Sequence, residues 1–288
     1  MDSVLILIAA PGSRAITPEI VELLRGLGGT NLRWLAEEEA LEVAGIEALH
    51  QVMSAISERP IDVNIVPVQN RRKRLLIADM DSTMIQQECI DELGVMAGVG
   101  ERIKDITIRA MRGELDFEGA LKERVSLLRG LEESIIDRII RDRITFMPGG
   151  RTLVATMKAA GAYTALVSGG FSPFTSRVAA ELGFDENQAN DLIIRDGVLT
   201  GEVGLPILGQ QAKVDALTRI VAALGVTPDD ALAVGDGAND IPMLLKAGMG
   251  VALHAKPTVK QQSRIAIDHG DLTALLYLQG YGRAEFVV

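Results

Sequence analysis

The sequence predicts an α/β protein: a doubly wound parallel sheet, interrupted by a helical insertion and preceded by a small α+β unit. Three observations carry this expectation. From Leu75 onward short apolar runs alternate with helical patterns, the rhythm of a parallel sheet covered by helices on both faces. Between residues 84 and 146 the rhythm stops and only helical periodicity remains, so an all-helical insertion is the simplest account. Upstream, residues 1–70 read as β, α, β, β, α, β, the order of the ferredoxin-like fold. Two domains follow, 1–70 and 71–288, with the insertion of the second at about 84–146.

The first strand is the apolar run 3–9. A helical pattern from Thr17 to Leu27 opens with Thr17 as cap and Pro18 in the first turn, where its missing N–H costs nothing. Residues 31–36 and 39–43 read as short strands, 46–57 as a helix and 61–68 as a strand. The cations Arg71, Arg72, Lys73 and Arg74 stand in a row and read as a solvated linker and strand start. The second domain offers apolar strands at 75–78, 163–168, 231–234, 249–252 and 264–267, and a hairpin over 191–203 around Asp196-Gly197.

Composition excludes several classes. Apolar residues make up 48% of 288, enough for a globular core. With 29 basic against 39 acidic groups the net charge is −10, and aromatics are 3%, a poor basis for binding nucleic acid. No apolar run approaches the roughly 20 residues that cross a bilayer. Met1-Asp2-Ser3-Val4 lacks the basic flank of a signal peptide, so a cytoplasmic location is expected. The single cysteine, Cys89, cannot make an internal disulfide and reads as a small packing residue.

Chemistry concentrates at strand ends, where ligands of open α/β sheets bind. Leu75-Leu-Ile-Ala runs straight into Asp79 and Asp81, and with strand-like spacing residues i and i+2 face one side. Two such carboxylates repel unless a cation lies between them; an Asp-x-Asp-Ser turn capping a helix is the plain alternative. A second strand end carries Gly235-Asp236-Gly237-Ala238-Asn239-Asp240, whose glycines would let backbone approach a ligand. A third, at Ser168-Gly169-Gly170, offers a hydroxyl and backbone amides as donors for an anion. Lys213 falls in the first turn of a helix, where a cation opposes the dipole and needs some other justification.

These segments match, in order, the four motifs of the haloacid dehalogenase superfamily: Asp79 to Thr83, Ser168-Gly169, Lys213, and Gly235 to Asp240. The helical insertion is similar to the cap of its phosphoserine phosphatases, through Glu88 and the run from Met111 to Arg124. The resemblance covers about 75–288, while 1–70 looks like a sensing domain of the ACT kind in topology alone; a dimerisation or packing role fits it as well, with a homodimer as one expectation.

What the resemblance implies is definite. The core would be a haloacid dehalogenase-like Rossmannoid sheet, and the chain a Mg2+-dependent phosphatase acting on O-phospho-L-serine, the last step of serine synthesis. Asp79 would attack phosphorus and Asp81 would serve as acid and then base. Asp79, Asp236 and the Asp81 backbone carbonyl would hold magnesium. Ser168, Gly169 and Lys213 would hold the phosphoryl oxygens, with Asp240 orienting Lys213 or a water and Thr83 supporting the nucleophile loop. Arg124 lies on the stripe Phe117-Leu121-Arg124-Leu128, an otherwise apolar helix face, and suits the substrate carboxylate. Glu88 suits the ammonium, Asn239 would add a hydrogen bond, and Met111 and Phe117 would form a dry lid. A related phosphotransferase, a phosphatase for another small phosphomonoester, or a sensor with an inert core remain the alternatives.

Overall fold

The computed structural model describes residues 3–288 of the chain, apart from the side chain of Met111. The N-terminal unit comprises β1 (Ser3–Ala9), α1 (Pro18–Gly26), β2 (Thr30–Ala36), β3 (Ala40–Ala44), α2 (Leu49–Ile56) and β4 (Ile61–Pro67). Its sheet runs β2-β3-β1-β4 and is antiparallel throughout. Strand β1 reads as an unbroken apolar run because both of its faces are covered. Leu5, Leu7 and Ala9 pack with Ile20, Leu24 and Val52 of the two helices. Val4, Ile6 and Ile8 turn the other way, into the cluster that contains the C-terminal residues Leu275 to Leu278.

The larger unit begins with β5 (Leu75–Ala78). The insertion follows as α3 (Cys89–Met96), α4 (Gly100–Met111), α5 (Phe117–Ser126) and α6 (Ser134–Asp142). Then come α7 (Gly150–Ala159), β6 (Tyr163–Phe171), α8 (Ser172–Leu182), β7 (Glu186–Asn190), β8 (Leu192–Arg195), β9 (Val198–Val203) and α9 (Gln210–Leu224). The chain ends with β10 (Ala231–Gly235), α10 (Ile241–Lys246), β11 (Met249–Leu253), α11 (Pro257–Gln262), β12 (Ile265–Ile267) and α12 (Ala274–Leu278). The main sheet runs β12-β11-β10-β5-β6-β7, parallel at every pairing. Alternation along β5 sends Leu76 and Ala78 to one apolar cluster and Leu75 and Ile77 to the other, so both faces are buried. Chain order reverses between β5 and β10, which makes the carboxyl end of β5 the natural place for a ligand.

The insertion leaves and re-enters the core through a narrow neck. Ile85 bridges Phe146 in antiparallel fashion, and Met147 N donates to Met84 O at 2.9 Å. The hairpin β8–β9 turns at Asp196 and Gly197, both at positive φ (53° and 75°), as an Asp-Gly turn should. It leans on the insertion: Gly130 N donates to Leu199 O and Leu199 N to Leu131 O, each at 2.8 Å.

Three sequence readings need correction. The run 71–74 is not a solvated linker, because Arg71 and Lys73 are buried (9% and 6% exposed). Arg71 donates to the carbonyls of Leu278 and Tyr277 and pairs with Glu42, while Lys73 Nζ reaches Asp229 O at 2.6 Å. These cations satisfy carbonyls at the junction of the two units, a tertiary demand that local sequence does not register. Strand β6 continues past Ser168 to Phe171, with a register shift between Val167 and Phe171. Strand β7 escaped notice because Glu-Asn-Gln-Ala-Asn is polar, which a short edge strand tolerates.

Candidate active site

The carboxyl ends of β5, β6 and β10 meet the insertion around a cavity of about 570 Å³. Asp79, Asp81, Glu88, Arg124, Ser168, Gly169, Asp236 and Asn239 all line it, so eight of the positions singled out from sequence share one space. Lys213, Thr83 and Asp240 lie directly behind this wall, each buried (1%, 0% and 0% exposed).

Lys213 is the hub. Its ammonium lies 2.7 Å from Asp79 Oδ1 and 2.6 Å from Asp240 Oδ1. Two carboxylates therefore supply the justification that its place in the first turn of α9 demanded. Burial pushes the lysine down, but Asp240 and Asp79 more than reverse this and hold it above its usual value, so it is charged. Asp79 is driven the other way: burial first and the Asp240 charge second raise its carboxyl well above the carboxylate range, against the pull of Lys213. Asp79 Oδ1 also accepts from Met80 N at 2.8 Å, so one oxygen is fixed and Oδ2 takes no hydrogen bond from any described residue.

Asp81 is held by Cys89 N, which donates to Oδ1 at 3.0 Å. Burial and then the nearby Glu88 charge push its carboxyl up to about 7. Asp236 accepts from Thr83 Oγ1 at 3.1 Å, tying the β10 loop to the β5 loop, and burial followed by Asp240 raises it to about 6. One carboxylate oxygen each from Asp79, Asp236 and Asp240 falls within 4.8 Å of the others. Asp240 has both oxygens engaged, Oδ1 by Lys213 and Oδ2 by Gly237 N at 3.0 Å. Asp79 and Asp236 are thus the pair able to take a cation, and an all-oxygen donor set suits a hard divalent ion such as magnesium.

The glycines have a steric task beyond the one read in sequence. A Cβ on Gly235 would sit 2.3 Å from Asp240 Cγ, and one on Gly237 would sit 2.3 Å from Asn239 Oδ1. They make room for the loop's own acidic and amide side chains, and Gly237 also lines the cavity. Gly170 likewise admits Asp81, whose Oδ2 would be 2.6 Å from an added Cβ. Its amide is not free for an anion: Gly170 N donates to Ser168 Oγ at 2.8 Å. Ser168 Oγ is 3.5 Å from Asp81 Oδ2, and the Gly169 carbonyl is held by Asn190 Nδ2 at 2.9 Å.

On the insertion side, Glu88 caps α3 instead of lying within a helix, and accepts from Ser82 Oγ at 2.6 Å. Ser82 itself has φ 55°, a left-handed backbone that this short contact helps to hold. Arg124 is half-buried and spends two donors locally, on Ala120 O at 3.2 Å and Thr107 Oγ1 at 3.4 Å. It makes no ion pair within the described residues, although it lines the cavity beside Glu88 and Asp91. Phe117 opens α5, is 38% exposed and faces Gly169 across the cavity, with its ring 3.4 Å from where a Cβ would be. The side chain of Met111 lies outside the described residues. Cys89 is buried, and burial followed by the Asp81 charge raises its thiol well above the usual value, so it packs as an inert group. Asp91 and Lys256 also line the cavity and were missed. Lys256 carried a signal, since it caps α11 as a cation at the helix N-terminus, the same anomaly as Lys213. Among the described residues no helix is long and apolar enough to cross a membrane.

Comparison with known proteins agrees with this geometry. Residues 76–245 match the family model for haloacid dehalogenase-like hydrolases. A phosphoserine phosphatase of Streptomyces coelicolor is 43% identical over 227 residues, which span 78% of this chain and 55% of that protein. A HAD family hydrolase from Salmonella enterica serovar Typhi superposes with TM-score 0.86 at 31% identity, covering 96% of this chain and 98% of its own. A phospho-aspartyl intermediate analogue of phosphoserine phosphatase superposes with TM-score 0.67 at 42% identity, covering 72% of this chain and 98% of its own.

Proposed function

Since the chain belongs to the haloacid dehalogenase-like hydrolase family, among its phosphoserine phosphatases, we propose that it hydrolyses O-phospho-L-serine to L-serine and phosphate through a covalent phosphate on Asp79. The observation that carries this reading is the meeting of two halves in one cavity: Asp79 and Asp81 on the core side, Glu88 and Arg124, which has no ion pair among the described residues, on the insertion side.

The Lys213 ammonium, joined by the divalent cation that Asp79 and Asp236 would share, keeps Asp79 ionised against the upward push of burial. Asp79 Oδ2, free of hydrogen bonds from the described residues, attacks phosphorus while Lys213 and Met80 N hold Oδ1. The bond from phosphorus to the serine oxygen breaks as Asp81 delivers its proton to that oxygen. With a carboxyl at about 7, Asp81 is protonated in a useful fraction of molecules at neutral pH and can take a proton back. Water then attacks the acyl phosphate on phosphorus, Asp81 accepts its proton, and the Asp79 carboxylate is restored. Lys213, Ser168 and the Gly169 amide stabilise the phosphoryl oxygens. Asp79, Asp236 and the Asp81 carbonyl would hold magnesium, which when bound offsets the charge of the phosphate among these acids. Asp240 keeps Lys213 in place and Thr83 keeps Asp236.

Arg124 has donors to spare for a substrate carboxylate, which guanidinium grips in bidentate fashion. Glu88, oriented by Ser82, takes the ammonium. A sugar phosphate offers neither group. The product places the reaction as the final step in forming serine. A substrate panel tests the reading: Arg124→Ala should lower kcat/KM for phosphoserine by at least tenfold, on the order of one charged hydrogen bond, and spare p-nitrophenyl phosphate. Equal loss on both substrates contradicts it.

A further inference from the structure

The N-terminal unit touches the catalytic unit through a polar seam that leads to the active-site rim. Strands β4 and β12 are edge strands of their two sheets, and side chains of β4 bridge them. Asn64 exchanges hydrogen bonds with the Ala266 backbone, Nδ2 donating to O at 3.0 Å and Oδ1 accepting from N at 3.2 Å. Asp62, 6% exposed, accepts from three successive backbone amides: Asp268 N at 2.8 Å, His269 N at 3.1 Å and Gly270 N at 2.8 Å. A buried carboxylate with no cationic partner within salt-bridge distance among the described residues is being used to hold the shape of one turn.

That turn is gripped in turn by His254. The His254 ring Nε2 donates to Gly270 O at 2.8 Å, and its backbone N donates to Ile267 O at 2.7 Å. His254 has φ 46°, a left-handed conformation that costs a β-carbon-bearing residue energy and persists only when its surroundings impose it. Two residues on stands Lys256, which caps α11 and lines the catalytic cavity. Lys256 makes no ion pair within the described residues. Five carboxylates line the same cavity, those of Asp79, Asp81, Glu88, Asp91 and Asp236, against the cations of Arg124 and Lys256. A phosphate dianion entering such a space needs an exposed positive charge near the rim.

We propose that Lys256 captures the substrate phosphate at the rim of the cavity on its way to Asp79, and that Asp62 positions it from the N-terminal unit through the 268–270 turn and His254. The inference deepens the phosphatase reading and rests on it. Lys256 is the substrate-binding group; Asp62 and His254 are positioning residues that act through it.

A double-mutant cycle in the full-length enzyme, with saturating magnesium, tests both parts. Lys256→Ala should raise KM about tenfold for phosphoserine and for p-nitrophenyl phosphate alike, the loss of roughly one charged contact, with kcat within about twofold. Asp62→Ala and His254→Gly should each raise KM about threefold when Lys256 is present, and add nothing when it is absent. His254→Asn, which tolerates the left-handed φ and keeps a donor, should recover part of the loss. Unchanged KM in Lys256→Ala overturns the proposal. Effects of Asp62 or His254 that simply add to that of Lys256 reduce them to structural residues and overturn the coupling. Should Asp62→Ala fail to fold, the His254 arm decides alone. A wild-type enzyme that cleaves p-nitrophenyl phosphate but not phosphoserine overturns the substrate assignment, and the cycle on p-nitrophenyl phosphate still judges this one.

Discussion

Replacing Lys213 by methionine removes a buried ammonium and nearly preserves volume, so it isolates what the charge does. In the wild type Lys213 contacts Asp79 and Asp240 at 2.7 and 2.6 Å, all three side chains being essentially out of water. An oxygen of Asp236 lies within 4.8 Å of those carboxylates. Without the lysine, three clustered acids have no cation. Removing one partner of a buried pair costs about 3–5 kcal/mol, because the other charge is left stranded. At roughly 2–4 °C per kcal/mol for a unit of this size, melting should fall by about 6–20 °C in chelator. A divalent cation supplies two positive charges to the same carboxylates, so magnesium should restore part of the loss and shift the variant more than the wild type. Combining Lys213→Met with Asp79→Asn removes one of the repelling acids and should cost less than the two changes summed. Circular-dichroism melts in EDTA and in magnesium make the comparison. A fall of less than about 2 °C in EDTA would show that the lysine does not neutralise the acids, and the electrostatic reading of the hub would be wrong.

Other outcomes follow from the same geometry. Gly235→Ala places a methyl group 2.3 Å from Asp240 Cγ, so Asp240 must leave Lys213; activity should drop at least a hundredfold, on the order of the loss of a transition-state donor, and wild-type turnover would mean that Asp240 is dispensable. Activity should vanish in EDTA and return with magnesium, whereas full turnover in metal-free buffer contradicts the assignment of Asp79 and Asp236. Leu121→Ala, at a fully packed position of α5 beside Arg124, should destabilise by about 2–5 kcal/mol in denaturant melts; a loss below 1 kcal/mol would mean the insertion repacks freely. Calorimetry with serine on the full chain asks whether the N-terminal unit senses the product, and heat that persists in a variant lacking Arg124 would locate binding outside the catalytic cavity.

The parts of this site that sequence revealed are those fixed by local patterns. Asp79 and Asp81 follow a four-residue apolar strand, and Asp236 follows another, so strand ends and acids could be paired without knowing the fold. Lys213 announced itself by sitting at the wrong end of a helix. What stayed hidden depends on contacts distant along the chain. The burial of Arg71 and Lys73 is imposed by carbonyls of residues 277, 278 and 229, and no window around position 71 contains them. The function of Gly235 is set by an acid five residues later that folds back, which looks in sequence like freedom for a ligand. Strand β7 has no apolar signature because it closes the sheet at an exposed edge. Lys256 carried the same helix-end anomaly as Lys213, yet only the fold brings it to the cavity that Asp236 lines.

Everything in the mechanism depends on a transient acyl phosphate, a mixed anhydride between phosphate and the residue-79 carboxylate. Rapid acid quench of the enzyme turning over phosphoserine labelled with ³²P, followed by peptide mapping, measures it directly. Label confined to the peptide bearing Asp79, chased away by unlabelled substrate and absent from Asp79→Asn, is the expected result. Label on any other side chain, or turnover by Asp79→Asn at a rate comparable to wild type, would contradict it.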